Sequence, residues 1–535
     1  MKSKIMPIVI TIILGALLYY FMLPPLNLSA PLFWPFALTI FIIYFVSSEV
    51  YKLKINENII TKLSKLEKQG ARNSYILLIV PIAVVLILVV NLINSPLFNS
   101  KEYYNRITIK EDGVFEEDVP EVDFNALPLL DKDSSQKLGD RVMGQMTELV
   151  SQFSVSNLYT QINYKNDIVR VTPLEYANVI KYFTNRKGGV KGYIILNSVT
   201  GKAELVKLDE GMKYMPSALF NENLYRKLRF SYPFENFGTE KFELDNEGNP
   251  FWVVPTIKYV GVGLRPEVTG VIALNPITGD TTKYNAGEVP TWVDHVHQPS
   301  LILEQVNDWG KYASGYINSV FGQKGVIATT EGYNYTVMND DVYLYTGITS
   351  VASDESNIGF IMSNLRTKET VFYPVSGAEE YSAMASAEGQ VQQMKYRSTF
   401  PLLINLNNKP TYLLSLKDNA GLVKMYAFVD VVDYQKVVVS DAKDGIKAAA
   451  LNYLGNDERH VNEDEIITKD ITVSSIKTAT IDGTTYYYLV DNAKNKYKVS
   501  IKVYPNVLPF LEMGQKINVS FKEETDVYEI LKIND

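Results

Sequence analysis

The first 95 residues contain three apolar runs, 5–23, 31–48 and 75–94, and no Asp, Glu, Lys or Arg interrupts any of them. At 1.5 Å of helical rise per residue each run is long enough to cross a bilayer. Backbone groups in hydrocarbon must find partners within their own segment, so three transmembrane α-helices are predicted. No ionisable side chain inside the runs marks a proton or ion pathway, and a channel or transporter has little support here. Lys2 and Lys4 before the first run, and Ser29-Ala30 after it, would suit a cleaved leader. Pro31 at the would-be first mature position disfavours cleavage, and two runs would remain in either case.

Charge sets the orientation. The segment 24–30 between the first two runs is short and uncharged. The segment between the second and third carries Lys52, Lys54, Lys62, Lys65, Lys68 and Arg72 against Glu57 and Glu67. The positive-inside rule keeps that basic loop, 50–74, and the N-terminus in the cytoplasm and delivers residue 96 to the outside. Ile55, Ile59, Leu63 and Leu66 recur at helical spacing within the loop. They fit an interfacial helix on anionic headgroups or a short solvated connection.

The remaining chain, 96–535, differs in charge. Residues 1–95 carry eight Lys or Arg and three Glu, a net of +5, so within a total of −8 the rest carries −13. An acidic body argues against nucleic acid as a partner, because phosphate neutralisation needs clustered Lys and Arg. The chain has no cysteine. Disulfide scaffolds, Cys-ligated zinc, Fe–S clusters and thiol catalysis are therefore excluded.

Residues 96–133 hold Glu116, Glu117, Asp118, Glu121 and Asp123 together with Pro120 and Pro128, the composition of an acidic tether. A helix is expected from Ser134 or Ser135 to about Phe153, with Leu138, Val142, Met146, Leu149 and Val150 on one stripe. The region 134–456 then reads as α+β repeats. Hairpins with Asn- or Gly-centred turns are expected at 162–169, 242–252 and 403–412. An apolar strand ending in a Thr-Gly turn occurs at 192–201 and 270–279, with a degenerate third copy at 359–368. Helices are expected at 173–185, 217–229 and 301–314.

A helix followed by a hairpin that carries an apolar strand, Asn or Asp, two residues, Thr and Gly resembles the small PepSY-type modules found outside bacterial membranes. The resemblance covers 154–210 most fully and 217–290 and 380–440 more loosely, and it implies a binding or regulatory role. The polar run 457–465 precedes a segment, 466–535, of different character. Strands are expected at 470–479, 484–491, 495–503, 515–521 and 527–533, with a short helical stretch from Pro505. Five strands with a helix between the third and fourth resemble an OB-fold barrel, which implies an oligosaccharide or protein ligand or a structural cap.

Chemistry-bearing residues are sparse. His295 and His297 would share one face of a strand, with Glu304 seven residues beyond, a possible metal set set against the reading in which these residues cap a helix and face solvent. The third histidine, His460, lies in the polar run. Gly261-Val262-Gly263 lacks the helix start that a nucleotide loop needs, and no Gly-x-Ser-x-Gly elbow or other cofactor motif occurs. No residue is assigned a catalytic role and no cofactor is expected. The sequence is thus read as a bacterial plasma-membrane protein with a three-span anchor, presenting PepSY-like modules and an OB-like barrel to an extracytoplasmic protein or glycan. Alternatives are an envelope hydrolase or metal-dependent enzyme using His295, His297 and Glu304, and a structural subunit of a homo-oligomer or larger membrane complex.

Overall fold

The computed structural model describes residues 2–55, 79–124, 127–165, 167–338, 341–351, 353–455, 466–481, 484–501, 504, 507–522 and 527–534. It is a mixed α/β protein with an apolar N-terminal helix and several β-sheets, divided into two compact units, Met1–Ala450 and Leu451–Asp535. The basic loop from residue 56 onward, with its interfacial-helix expectation, and the run 457–465 with His460 lie outside the described residues.

Of the three predicted spans, one emerges as a straight helix of crossing length. Helix α1 (Lys2–Met22) contains Ile5–Met22, with a mean hydropathy of 2.3 and only 6% of that stretch buried. Helix α2 (Phe33–Ile55) is apolar only over Phe33–Ser48, because Glu49, Lys52 and Lys54 follow. Helix α3 (Ile79–Ile93) reaches crossing length only together with α4 (Pro96–Tyr104), and the two meet at a 50° bend where Asn94 and Ser95 precede Pro96.

Among the described residues, four successive segments of the first unit repeat one plan: a helix, a first strand broken into two pieces, and three further strands in an antiparallel meander. The helices are α5 (Lys132–Gly144), α7 (Leu224–Ser231), α8 (Pro299–Tyr312) and α9 (Glu380–Gln390). The broken strands are Phe153–Val155 with Thr160–Tyr164, Asn236–Phe237 with Lys241–Leu244, Ile327–Thr329 with Asn334–Met338, and Arg397–Ser398 with Leu402–Asn405. In each module both pieces pair with the same long second strand. The first module alone inserts a helix, α6 (Val179–Asn185), between its second and third strands.

The turn from third to fourth strand is chemically the same in three modules. Asn197 accepts from the backbone N–H of Val199 and Thr200 at 3.0 and 2.8 Å, and Asn275 accepts from Ile277 and Thr278 at 2.9 and 3.2 Å. Asn364 accepts from Arg366 and Thr367 at 2.8 and 3.0 Å. Each Asx turn ends on a left-handed residue, Gly201 (φ 73°), Gly279 (φ 80°) or Lys368 (φ 66°). In the third module the lysine at this position also reaches the Arg106 carbonyl with its Nζ at 2.7 Å.

The modules pack in pairs. Ile162, Val171, Leu174 and Ile194 of the first share one core with Phe242, Trp252 and Ile272 of the second, and the Trp252 indole N–H donates to the Tyr214 carbonyl at 2.9 Å. Tyr345 and Phe360 of the third share another with Tyr412, Leu414 and Val429 of the fourth. Strands covered on both faces lose the polar alternation of a half-exposed sheet, and Pro410–Lys417 is buried at every position.

Several sequence expectations change accordingly. Residues 173–176 finish the strand Asp167–Tyr176 rather than begin a helix, since burial on both faces overrides their pattern. The helix expected from residue 134 to 153 stops at Gly144, a short turn Thr147–Val150 follows, and Phe153 opens a strand. The expected helix at 217–229 becomes a 3-10 turn, Phe220–Glu222, and then α7. The acidic segment after residue 96 is packed rather than free. Ile109–Lys110 joins the third module's sheet, Phe115 and Val119 enter the core shared by modules three and four, and Glu121 accepts from the Asn407 N–H at 2.6 Å. Its carboxylates face outward while its apolar residues anchor it.

The second unit is a closed five-stranded barrel. Ile466–Ile481, Thr484–Asp491 and Lys496–Ser500 are followed by the 3-10 turn Leu508–Phe510 and then by Lys516–Lys522 and Tyr528–Asn534. The fifth strand lies between the third and fourth, pairing in parallel with the third, and the fourth closes on the first. Val473, Leu489, Tyr497, Val519 and Leu508 form its own core.

The turns supply a contrast that thermal unfolding can read. Gly201→Ala is expected to lower stability by about 1 kcal/mol, the cost of a left-handed L-residue. Gly279→Ala is expected to lower it further, because a Cβ there would lie 2.4 Å from the Tyr214 ring. Equal losses at the two positions would contradict this account.

Candidate functional site

The connection between modules two and three, residues 293–297, has no regular structure and yet is buried, so its polar groups must be paired by side chains and neighbouring backbone. Glu243 of the second module, fully buried, accepts from the N–H of Asp294 at 2.8 Å and of His295 at 3.2 Å. Asp294 in turn accepts from the Asn163 N–H of the first module at 2.7 Å. The His295 Nε2 lies 2.7 Å from the Gln161 carbonyl, which can only accept, so this nitrogen carries the proton. The N–H groups of Val296 and His297 donate to the Leu365 carbonyl of the third module at 3.2 and 2.8 Å. One five-residue segment thus ties three modules together.

Burial dominates the electrostatics of this seam. It pushes the carboxyls of Glu243 and Asp294 up, and the nearby Glu243 raises Asp294 further, while the donated N–H groups pull both the other way. It pushes His295 down to about 3, helped by the positive charges of Lys241 and Arg170, and His297 down to about 4, helped by Lys368. Both imidazoles are therefore neutral at physiological pH. The His295 Nδ1, the Gln161 amide nitrogen and the Arg170 Nε have no hydrogen-bond partner in the seam.

Glu304 belongs to a different cluster. The Arg106 guanidinium, 2% exposed, bonds Glu267 at 3.1 Å, Glu304 at 2.6 Å and Asp308, and donates to the Pro266 carbonyl at 2.8 Å. Burial raises Asp308 to about 6 against the pull of Arg106. This cluster fixes the end of the α4 segment to the second module's long hairpin and to α8. The three residues singled out as a metal set are thus divided. His295 faces Gln161, His297 lies toward Lys368, and Glu304 neutralises Arg106. The two histidines sit in an irregular connection, not on one strand face, and among the described residues no three His, Asp or Glu side chains gather as a metal would require.

A third set of contacts joins the second module to the apolar helices. Arg226 and Arg229, one turn apart on α7, donate to the carbonyls of Tyr20 and Leu23 at 3.1 and 3.0 Å. Guanidinium groups at a helix C-terminus satisfy carbonyls that lack intrahelical partners and complement its dipole. Gly261 (φ 66°) and Gly263 (φ 74°) allow the loop between them to meet Asn91 of α3 and Ser29. Asn91 bonds the Val262 N–H and carbonyl at 2.8 and 3.0 Å, and the Gly263 N–H donates to Ser29 at 3.0 Å. The glycine pair that fails as a nucleotide loop is a docking turn.

Sequence reasoning passed over Arg106, Glu243, Asp294, Arg226 and Arg229. The paired arginines at helical spacing were the visible signal for the last two. Glu243 and Arg106 gave none, because a charge surrounded by distant partners looks like a solvated charge.

No known family and no curated protein matches the chain. Solved structures that overlay on it include a B. megaterium levansucrase variant (8% identity, 78% of this chain, 98% of that one, TM-score 0.17). An ancestral GH74 enzyme also does (12%, 68% and 43%, 0.16), as does an α-L-arabinofuranosidase from Lactobacillus brevis (7%, 69% and 94%, 0.14). Scores this low do not indicate a shared fold.

Two outcomes follow for the seams. His297 binds its proton far less readily in the folded than in the unfolded chain, so its contribution to stability is present above its ordinary value near 6.5 and lost as pH falls toward 4. Relative to His297→Leu, the wild type is expected to lose roughly 1.4 kcal/mol per pH unit across that window in denaturant titrations. A constant difference would refute the burial effect. Arg106→Met leaves the largely buried Asp308 without its ion pair, while Glu267 keeps Lys368, and is expected to destabilise by about 3–5 kcal/mol, read as a fall in unfolding midpoint.

Proposed function

We propose that this is a membrane-anchored protein of the bacterial cell envelope, with its N-terminus in the cytoplasm and everything after about residue 96 outside. Its four helix-and-meander modules, PepSY-like in plan, and its OB-like barrel serve as binding or regulatory modules for an extracytoplasmic protein or glycan. The observation that carries the reading is the attachment of Arg226 and Arg229 to the outer end of α1, whose remaining length is apolar and exposed. An apolar helix of this length left bare along its sides suits lipid as its surroundings, and a folded body fixed to one end suits presentation at the surface.

The repeat of one helix with one four-strand meander, and the shared Asx turn, support the PepSY-like reading. The barrel order first, second, third, fifth, fourth, with a helical turn between third and fourth, supports the OB-like one. A metal-dependent hydrolase would need His295, His297 and Glu304 on one accessible centre. The burial of both histidines and the engagement of Glu304 by Arg106 favour structural roles for all three.

Topology provides the test. Protease added to intact spheroplasts is expected to digest the chain after about residue 96 and to spare the loop from Lys52 to Arg72. Cleavage of that loop from outside would reverse the orientation and remove the basis for an external partner.

A further inference from the structure

The module plan does not require α6, and the first module is the one that carries it. It presents Val179, Ile180 and Phe183 to the exterior, with Ile180 71% exposed. Phe220, Phe230 and Phe234 of the neighbouring segment are exposed over about half of their surface or more. Single apolar residues on a surface need no explanation, but several of these adjoin one another. The Phe183 and Phe220 rings lie 6.1 Å apart, and the Phe220 carbonyl accepts from Arg226, whose guanidinium stacks 4.1 Å over Tyr20. Phe230 meets Tyr19 and Tyr20 at 5.8 and 6.2 Å, and the Phe234 carbonyl accepts from Asn27. Two apolar clusters, Phe183 with Phe220 and Phe230 with Tyr19 and Tyr20, are thus joined through Arg226 beside the outer end of α1.

The charge of this region sets it apart from the rest of the body. Residues 179–191 and 213–234 contain eight Lys or Arg and one Glu, a net of +7, inside a portion of the chain whose total is −13; with Arg226 and Arg229 held by α1 and Arg186 paired with Glu222, Lys181, Lys187, Lys191, Lys213 and Lys227 carry the surface charge. Arg186, Lys187 and Lys213 line a cleft of about 370 Å³ with Glu222. Exposed aromatic and aliphatic side chains bordered by cations are the arrangement that settles at an anionic headgroup boundary. The bilayer surface is also what lies next to the outer end of α1 under the anchor reading, on which this step rests.

We propose that residues 179–191 and 213–234 form a lipid-docking face, which inserts its apolar clusters into the outer leaflet and sets its cations against anionic headgroups. The first two modules then lie on the membrane, and the third and fourth are carried by them.

The chain has no cysteine, so single-cysteine variants of the full protein can carry a nitroxide label at one chosen position. Labels at Ile180, Phe183 and Phe234, with references at Ile12 in α1 and at exposed Lys424 in the fourth module, would be compared in vesicles of phosphatidylcholine with phosphatidylglycerol. Accessibility to oxygen and to a water-soluble nickel chelate gives depth. The expected result is that the labels at 180, 183 and 234 favour oxygen, as at 12, while 424 favours the chelate. Adding Lys187→Glu and Lys213→Glu is expected to move the label at 183 toward water. Labels at 180, 183 and 234 in water while 12 stays in lipid would overturn the docking face and leave the anchor standing. A label at 12 in water would overturn the anchor and the docking face with it. An unchanged label at 183 in the doubly substituted protein would overturn the role of the cations.

Discussion

A buried stretch of irregular backbone must have its N–H groups satisfied, and in this protein that demand falls on Glu243. Its two carboxylate oxygens receive the N–H groups of Asp294 and His295, and the rest of the connection is secured to Gln161, Asn163 and Leu365. Four modules that share one plan could pack in many ways. This buried acceptor fixes one arrangement of the first three, because any slip of the connection leaves a buried carboxyl group and several N–H groups unpaired. The same burial explains the displaced pKa values of the seam without invoking catalysis. Glu243, Asp294 and His295 are closed in by three modules, and a substrate could reach them only by parting those modules.

The second seam, around Arg106, uses similar chemistry with the charges reversed. One buried guanidinium is satisfied by three carboxylates and a carbonyl drawn from the hairpin of module two and from α8. The turn 364–368 connects the two seams, since Leu365 receives the connection and Lys368 reaches the Arg106 carbonyl. The contacts of Arg226, Arg229 and Asn91 separately tie the apolar helices to the second module.

Where the sequence could be read, the signal was local. Asn197, Asn275 and Asn364 announce their turns because an Asx turn closes within five residues, and Gly201 and Gly279 announce the left-handed position it needs. The barrel strands follow from alternation in a sheet with one face inward, as at Val519 and Phe521. The modules themselves were harder to see. Strands buried on both faces show no alternation, so the second strand of the first module looked partly helical and the third module, with Lys368 in place of glycine, looked degenerate.

The sequence by itself determined the apolar helix at the N-terminus, the reversal of charge that follows it, the repeated turn and the barrel at the C-terminus, each a property of neighbouring residues. The tertiary structure alone decided that the acidic segment after residue 96 is woven into the third and fourth modules, and that His295 and Glu304 belong to separate seams. It alone decided that Glu243 and Arg106 are buried. The reason is distance along the chain. Glu243 finds its donors 51 and 52 residues away and Arg106 its carboxylates 161 to 202 away, and no local pattern records a partner that only folding brings within reach.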